Sequence, residues 1–206
     1  MSSQKRGKIR DKWRLKTWFT AYAPPYFGGH EIALLPASDS QHLMGRVVET
    51  TLYDLTKQNV SHMSIKIFFQ VVKVEGAKAE TVFKGHEYAR EYLRSLVRRW
   101  SSKVDAVVDT TTKDGFKLRI LATAFTKRRA NPSQETAIRT IAQEVIQEKS
   151  KTLNFDQLVQ ELVLGKVASE IYNKSTKILP LRHVGVRKSK LLAMPSTYEE
   201  PKLVAA

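Results

Sequence analysis

The chain has 206 residues, 42% of them hydrophobic, enough to bury a core and to argue against wholesale disorder. Against 20 Asp and Glu stand 35 Lys and Arg, leaving a net charge of +15 whose self-repulsion a polyanionic partner would relieve. The absence of cysteine excludes disulfides, thiolate nucleophiles and Cys-based zinc sites, and the short, charge-interrupted apolar stretches exclude a membrane-spanning helix.

Residues 1–18 read as a basic arm, in which Lys5, Arg6, Lys8, Arg10, Lys12, Arg14 and Lys16 face only Asp11. Near-alternating cations suit an extended chain laid along phosphates, with Trp13 interleaved for stacking. The opening Met-Ser-Ser-Gln-Lys-Arg has no apolar run, so no secretory signal is expected and a cytoplasmic protein follows. Trp18 and Phe19 are expected to begin the core. A loop follows at Ala23-Pro24-Pro25 and Gly28-Gly29. From residue 31 to about 83 the pattern is β. Residues 46–52 are β-branched, and Met63, Ile65, Ile67, Phe69 and Val71 alternate with Ser64, Lys66, Phe68 and Gln70. Glu75-Gly76 marks a turn before a strand at 80–84.

The period then changes. In residues 87–100, Ala89, Leu93, Leu96, Val97 and Trp100 share one helical face, with Arg90, Arg94 and Arg98 as a stripe on another. Those arginines can contact RNA, or equally pair with Glu87 and Glu91 and complement the helix C-terminus together with Arg99. Strands at 104–112 and 116–125 flank Lys113-Asp114-Gly115, a strong hairpin signal. Asn131-Pro132 announces a helix over 132–149, with Ile138, Ile141, Ala142 and Val145 as its apolar stripe. A second helix starts after Asn154, Gly165 breaks it, and a third stretch covers 167–173. Residues 178–192 return to an extended basic pattern containing Arg182, Arg187, Lys188 and Lys190, and 193–206 are expected to be a disordered tail. The whole is one α+β domain over 19–192.

No catalytic machinery is visible. There is no Gly-rich phosphate loop and no HExxH, and the five histidines are scattered, so no metal, cofactor or catalytic residue is expected. Asp105 and Asp109 share a strand face, but strand rise separates their Cα atoms by roughly 13 Å, too far for a carboxylate dyad. Lys127-Arg128-Arg129 stands out instead, set where a strand ends and a helix begins, beside the free N–H groups of a helix N-terminus. Without a helix-turn-helix, finger or RNP motif, recognition of a folded RNA by shape and backbone is the remaining mode.

The run Gly45-Arg46-Val47-Val48-Glu49-Thr50-Thr51-Leu52-Tyr53-Asp54-Leu55 resembles the signature of the small-subunit ribosomal proteins called S-three-a in eukaryotes and S-one-e in archaea, with Thr51 a departure from it. Lys12-Trp13, Thr17-Trp18-Phe19, Ala23-Pro24 and Phe27 are similar to that family's N-terminal motif. Thr111-Thr112-Lys113-Asp114-Gly115-Phe116 with Arg119, then Phe125-Thr126-Lys127-Arg128-Arg129, resemble its hairpin and basic turn; Leu181-Arg182-His183-Val184 and Val186-Arg187-Lys188 resemble its closing strand. Lacking the long basic N-terminal and acidic C-terminal extensions of eukaryotic members, the chain resembles the archaeal form. The resemblance implies a β-barrel-like antiparallel core with one central helix and C-terminal helices. It also implies a structural role bound to small-subunit ribosomal RNA near the messenger exit, beside other ribosomal proteins. The alternative is a non-resident RNA-binding or chaperone-like factor that visits ribosomes; a membrane partner is not expected.

Overall fold

Alternating apolar residues continue further than the sequence pattern alone defines, and the strands are correspondingly long. The computed structural model describes Trp13 and residues 16–195. Its elements are β1 (Thr17–Tyr22), β2 (Glu31–Ala37), β3 (Val47–Thr51), α1 (Leu52–Thr56), β4 (Ile65–Glu75), β5 (Lys78–Tyr88) and α2 (Arg90–Leu96). Then come β6 (Lys103–Thr111), β7 (Lys117–Thr126), α3 (Pro132–Thr152), α4 (Phe155–Val163), α5 (Lys166–Ser175) and β8 (Leu181–Ala193).

The strands form one sheet in the order β2-β1-β5-β8-β7-β6, with β4 on β5 and β3 on β4 off that path. β5 is the branch point. One edge carries β4; the other is divided between Lys78, Ala79 and Glu80, which pair in parallel with β1, and Gly85, His86 and Glu87, which pair antiparallel with β8. The sheet therefore diverges at β5 instead of closing. This corrects the barrel-like, purely antiparallel core: among the described residues β2, β3 and β6 each pair on one side only.

The expected helix over 87–100 is also corrected. Glu87 and Tyr88 remain in β5 because β4 still offers them Lys66 and Ile65 as ladder partners. At the other end Val97 is extended and stops the helix, so α2 has only seven residues and buries no side chain. Tyr92 packs its ring edge-on against Tyr88 and His183, which docks α2 on the sheet. The central helix is instead α3, started by extended Asn131, whose N–H donates to Gln134 Oε1 at 3.1 Å, and by Pro132 in the first turn. α4 is capped across the fold: the Asp114 carboxylate in the β6–β7 turn accepts from the Phe155 N–H at 2.8 Å. Gly115 sits at φ +84, as that turn demands. α1 went unforeseen, although Thr51 Oγ1 accepts from the Asp54 N–H at 3.2 Å and Asp54 Oδ2 accepts from the Thr51 N–H at 3.3 Å, a reciprocal cap.

One face of β6 and β7 carries Val104, Ala106, Val108, Leu118, Ile120, Ala122 and Ala124 into a core completed by Val184 and Val186 of β8 and by Ile138, Val145, Leu158 and Ile171 of the helices. Its aromatic end joins Phe27, Phe69, Phe83 and Phe155, with Phe116 stacked on Phe155 at 4.2 Å between ring centroids. A smaller cluster of Phe19, Ala37, Leu43, Val71 and Ala79 seats β1 and β2. Phe19 thus joins the core as expected, while Trp18, 61% exposed, does not.

The seam between β5 and β8 is closed by a buried polar triad. His86 Nε2–H donates to the Val186 carbonyl at 3.0 Å, the Ser189 hydroxyl donates to His86 Nδ1 at 2.6 Å, and the His86 N–H donates to Ser189 Oγ at 3.2 Å. Burial disfavours the imidazolium and lowers the His86 pKa to about 4. Since the unfolded chain titrates near 6.5, it binds the extra proton first, and native stability falls as pH drops through that window. We expect urea unfolding to show full stability from this group above pH about 6.5 and a loss of roughly 3 kcal/mol by pH about 4. An NMR titration in which the folded His86 ring protonates near 6.5 would contradict the buried triad.

Candidate nucleic-acid interface

Three strand ends and one helix start meet at one end of the sheet. Lys103 of β6 is in register with Phe125 of β7, and Thr126 with Leu181 of β8. Thr126 ties them together. Its N–H donates to the Ser102 carbonyl at 3.0 Å, and its Oγ1 accepts from the Ser102 N–H at 2.8 Å. Its hydroxyl has the Arg128 carbonyl at 2.5 Å and the Ser102 carbonyl at 3.1 Å as acceptors. The Ala130 N–H donates to Ser102 Oγ at 3.1 Å and the Lys127 N–H to the Pro180 carbonyl at 3.0 Å. The loop between β7 and α3 is therefore held by its backbone and by two hydroxyls, leaving its basic side chains unused.

Lys127, Arg128 and Arg129 are all exposed. Among the described residues no carboxylate forms an ion pair with any of them. They stand just before the first turn of the 21-residue α3, whose unpaired amide groups add positive potential. Arg182, at the start of β8, joins them, its guanidinium reaching only the Leu96 carbonyl at 3.5 Å. Arg98 and Arg99 lie in the exposed segment between α2 and β6, beside the same end. Cations from separate stretches of chain thus lie at one end of the sheet, and among the described residues none of them forms an ion pair.

Of the other expected contacts, Lys16, Arg187, Lys188 and Lys190 do not join them. Lys5, Arg6, Lys8, Arg10, Lys12 and Arg14 lie outside the described residues. Lys16 holds its ammonium 3.7 Å from the Trp13 ring centroid. It precedes β1, which runs parallel to β5 from the start of that strand, so the 11 residues of β5 intervene before the basic end is reached. At strand rise that is a separation of roughly 30 Å. Lys188 is paired with Glu87 at 2.9 Å, and Lys190 lies in register with Arg119 on the open face of the sheet. Arg187 is the extra residue where the β7–β8 register shifts, half-buried, with its Nε lacking a hydrogen-bond partner.

The paired aspartates are structural. Asp105 accepts from the Thr123 hydroxyl and from Lys103 Nζ, each at 2.7 Å, while the Arg119 guanidinium grips Asp109 at 2.7 and 2.8 Å. That grip holds the Asp109 carboxyl below its ordinary value. Among the described residues no group of three or more His, Asp or Glu is arranged to hold a metal ion, and no helix is long and apolar enough to cross a membrane.

Trp100 departs from its expected place. Helical spacing assigns it to a buried face, yet it is 81% exposed at φ +61, beside Ser101, Ser102 and Arg129 around a cleft of about 650 Å³. α2 ends at Leu96, with Val97 extended, so the helix never reaches Trp100.

Residues 4–195 match the model of the ribosomal S3Ae family. The chain is 47% identical over 202 residues to the small ribosomal subunit protein eS1 of Desulfurococcus amylolyticus, covering 98% of this chain and 94% of that one. It is 47% identical over 199 residues to the protein of the same name from Archaeoglobus fulgidus, covering 96% and 94%, respectively. To that of Sulfolobus acidocaldarius it is 44% identical over 196 residues, covering 95% and 99%.

Proposed function

We propose, from the premise that this chain belongs to the ribosomal S3Ae family, that it is a structural constituent of the small ribosomal subunit, archaeal in type, and that it binds ribosomal RNA through its basic surfaces. The family is one of ribosomal proteins rather than enzymes, and its relatives are named as proteins of the small ribosomal subunit, which this reading places in the cytoplasm. The observation that carries the RNA contact is the convergence of exposed, unpaired Lys127, Arg128, Arg129 and Arg182 at one end of the sheet. Each phosphate such a cation neutralises releases a condensed counterion, so the loop and helix start act as a backbone clamp. The arm cations Lys5, Arg6, Lys8, Arg10, Lys12, Arg14 and Lys16 supply a second contact region. Lys188, Lys190 and Arg187 supply weaker ones, the first because Glu87 already neutralises it. In this reading residues 19–192 are one RNA-binding domain, residues 1–18 its arm and 193–206 a tail. It sits near the messenger exit with other small-subunit proteins as neighbours.

Sedimentation of a lysate through a sucrose gradient at high salt tests residence. The protein is expected to stay with the small subunit. If it washes to the top of the gradient, residence is wrong and a transient RNA-binding factor replaces it.

A further inference from the structure

We propose that the cleft between Trp100 and the first turn of α3 receives one unpaired base of small-subunit ribosomal RNA, stacked on the Trp100 indole. This rests on the RNA-binding reading above and deepens it. Trp100 is the most exposed large apolar side chain of the described residues, at 81%. Its backbone at φ +61 lies in a region a bulky residue rarely adopts. An indole held out in that conformation makes no contribution to either hydrophobic cluster. It walls a cleft of about 650 Å³, large enough for a nucleotide, whose other walls include Ser102, Arg129, Asn131 and Glu135. The floor is rigid, because Ser102 is bonded on both sides to Thr126 and to the Ala130 N–H.

The chemistry of the walls selects the occupant. The Glu135 carboxylate inside the cleft repels a phosphate there and accepts hydrogen bonds from an amino-bearing base edge. Arg129, the more exposed of the two charged wall residues, attracts the flanking phosphodiesters instead, helped by exposed Arg128 beside it in the chain and by Arg98 and Arg99 just before Trp100. An acidic peptide would meet Glu135, and an apolar one would have to desolvate those cations. An aromatic plane beside a polar edge and a cationic rim matches a splayed-out nucleotide. A base inside a duplex cannot reach the indole, so the base is unpaired.

The test uses the full chain with Trp13→Phe and Trp18→Phe, leaving Trp100 as the only tryptophan. Titration with deproteinised small-subunit ribosomal RNA is expected to quench its fluorescence to saturation. Trp100→Ala should weaken binding about tenfold with an unchanged salt slope, since no phosphate contact is lost, and Trp100→Phe should restore most of it. Chemical probing should find a guanine, adenine or cytosine shielded on its Watson–Crick edge in the parent complex and open in that of Trp100→Ala. Glu135→Gln should weaken that shielding while leaving the salt slope unchanged. Absence of quenching, or Trp100→Ala binding like the parent, overturns the stacking site while leaving the RNA-binding reading intact. Quenching by an unstructured messenger-like oligomer but not by the ribosomal RNA overturns the assigned occupant. Failure of the parent protein to bind the ribosomal RNA at all overturns both.

Discussion

Replacing Lys127, Arg128 and Arg129 together by alanine is expected to lower affinity for small-subunit ribosomal RNA on the order of a hundredfold or more near 0.1 M salt. Counterion release sets that size. Each phosphate contact contributes about 0.9 to the slope of log affinity against log salt, so each is worth close to tenfold at 0.1 M relative to 1 M. Three lost contacts would flatten the slope by up to about three units. The fold should be untouched, because the loop is pinned by Thr126, Ser102 and the Lys127 and Ala130 amides rather than by the deleted side chains. Binding isotherms at several salt concentrations, with a melting curve as control, decide the matter. Unchanged affinity and slope in a folded variant would remove this loop from the interface.

Gly85→Ala is expected to destabilise the protein strongly for the addition of a single methyl group. A Cβ at Gly85 would overlap the Ser189 carbonyl oxygen, a backbone atom that no rotamer change can move aside. The site is sensitive because, among the described residues, Gly85, His86 and Glu87 are the only part of β5 paired with β8. Forcing the strands apart there also opens the His86–Ser189–Val186 triad and strands buried polar groups. A loss on the order of 3 kcal/mol is expected, roughly 6–12 °C in melting temperature for a chain of this size. A melting temperature within about 2 °C of the parent would mean that the seam can yield.

Gly85 illustrates where the sequence was silent. No turn or positive φ marks that glycine; its need arises only from the approach of β8, which follows it by about a hundred residues. The β6–β7 hairpin, by contrast, was readable to within a residue at each strand end, because Asp114-Gly115 sets the turn locally and alternation in β6 and the first half of β7 sets the buried face. α3 was readable from Asn131-Pro132 and its stripe, and the break between α4 and α5 from Gly165. α2 was overestimated because a helical period was also compatible with two residues that β4 could pair.

The same division runs through the candidate interface. Residue by residue, the sequence determined the charge excess, the absence of metal-binding cysteine and the family signature, and it picked out residues 127–129 from a strand end beside a helix start. These are local or additive properties, set by what neighbours along the chain can do. Which cations share a surface was decided only by tertiary structure. Arg182 was gathered to that loop by β8 pairing with β7, Lys188 was neutralised by Glu87 across the β5–β8 seam, and Lys16 was set at the far end of β5 by the parallel β1–β5 pairing. Long-range strand pairing carries no signature in the segments it joins, because hydrogen bonds between backbones are the same for every side chain. Only the packing of the assembled sheet selects among the possible partners.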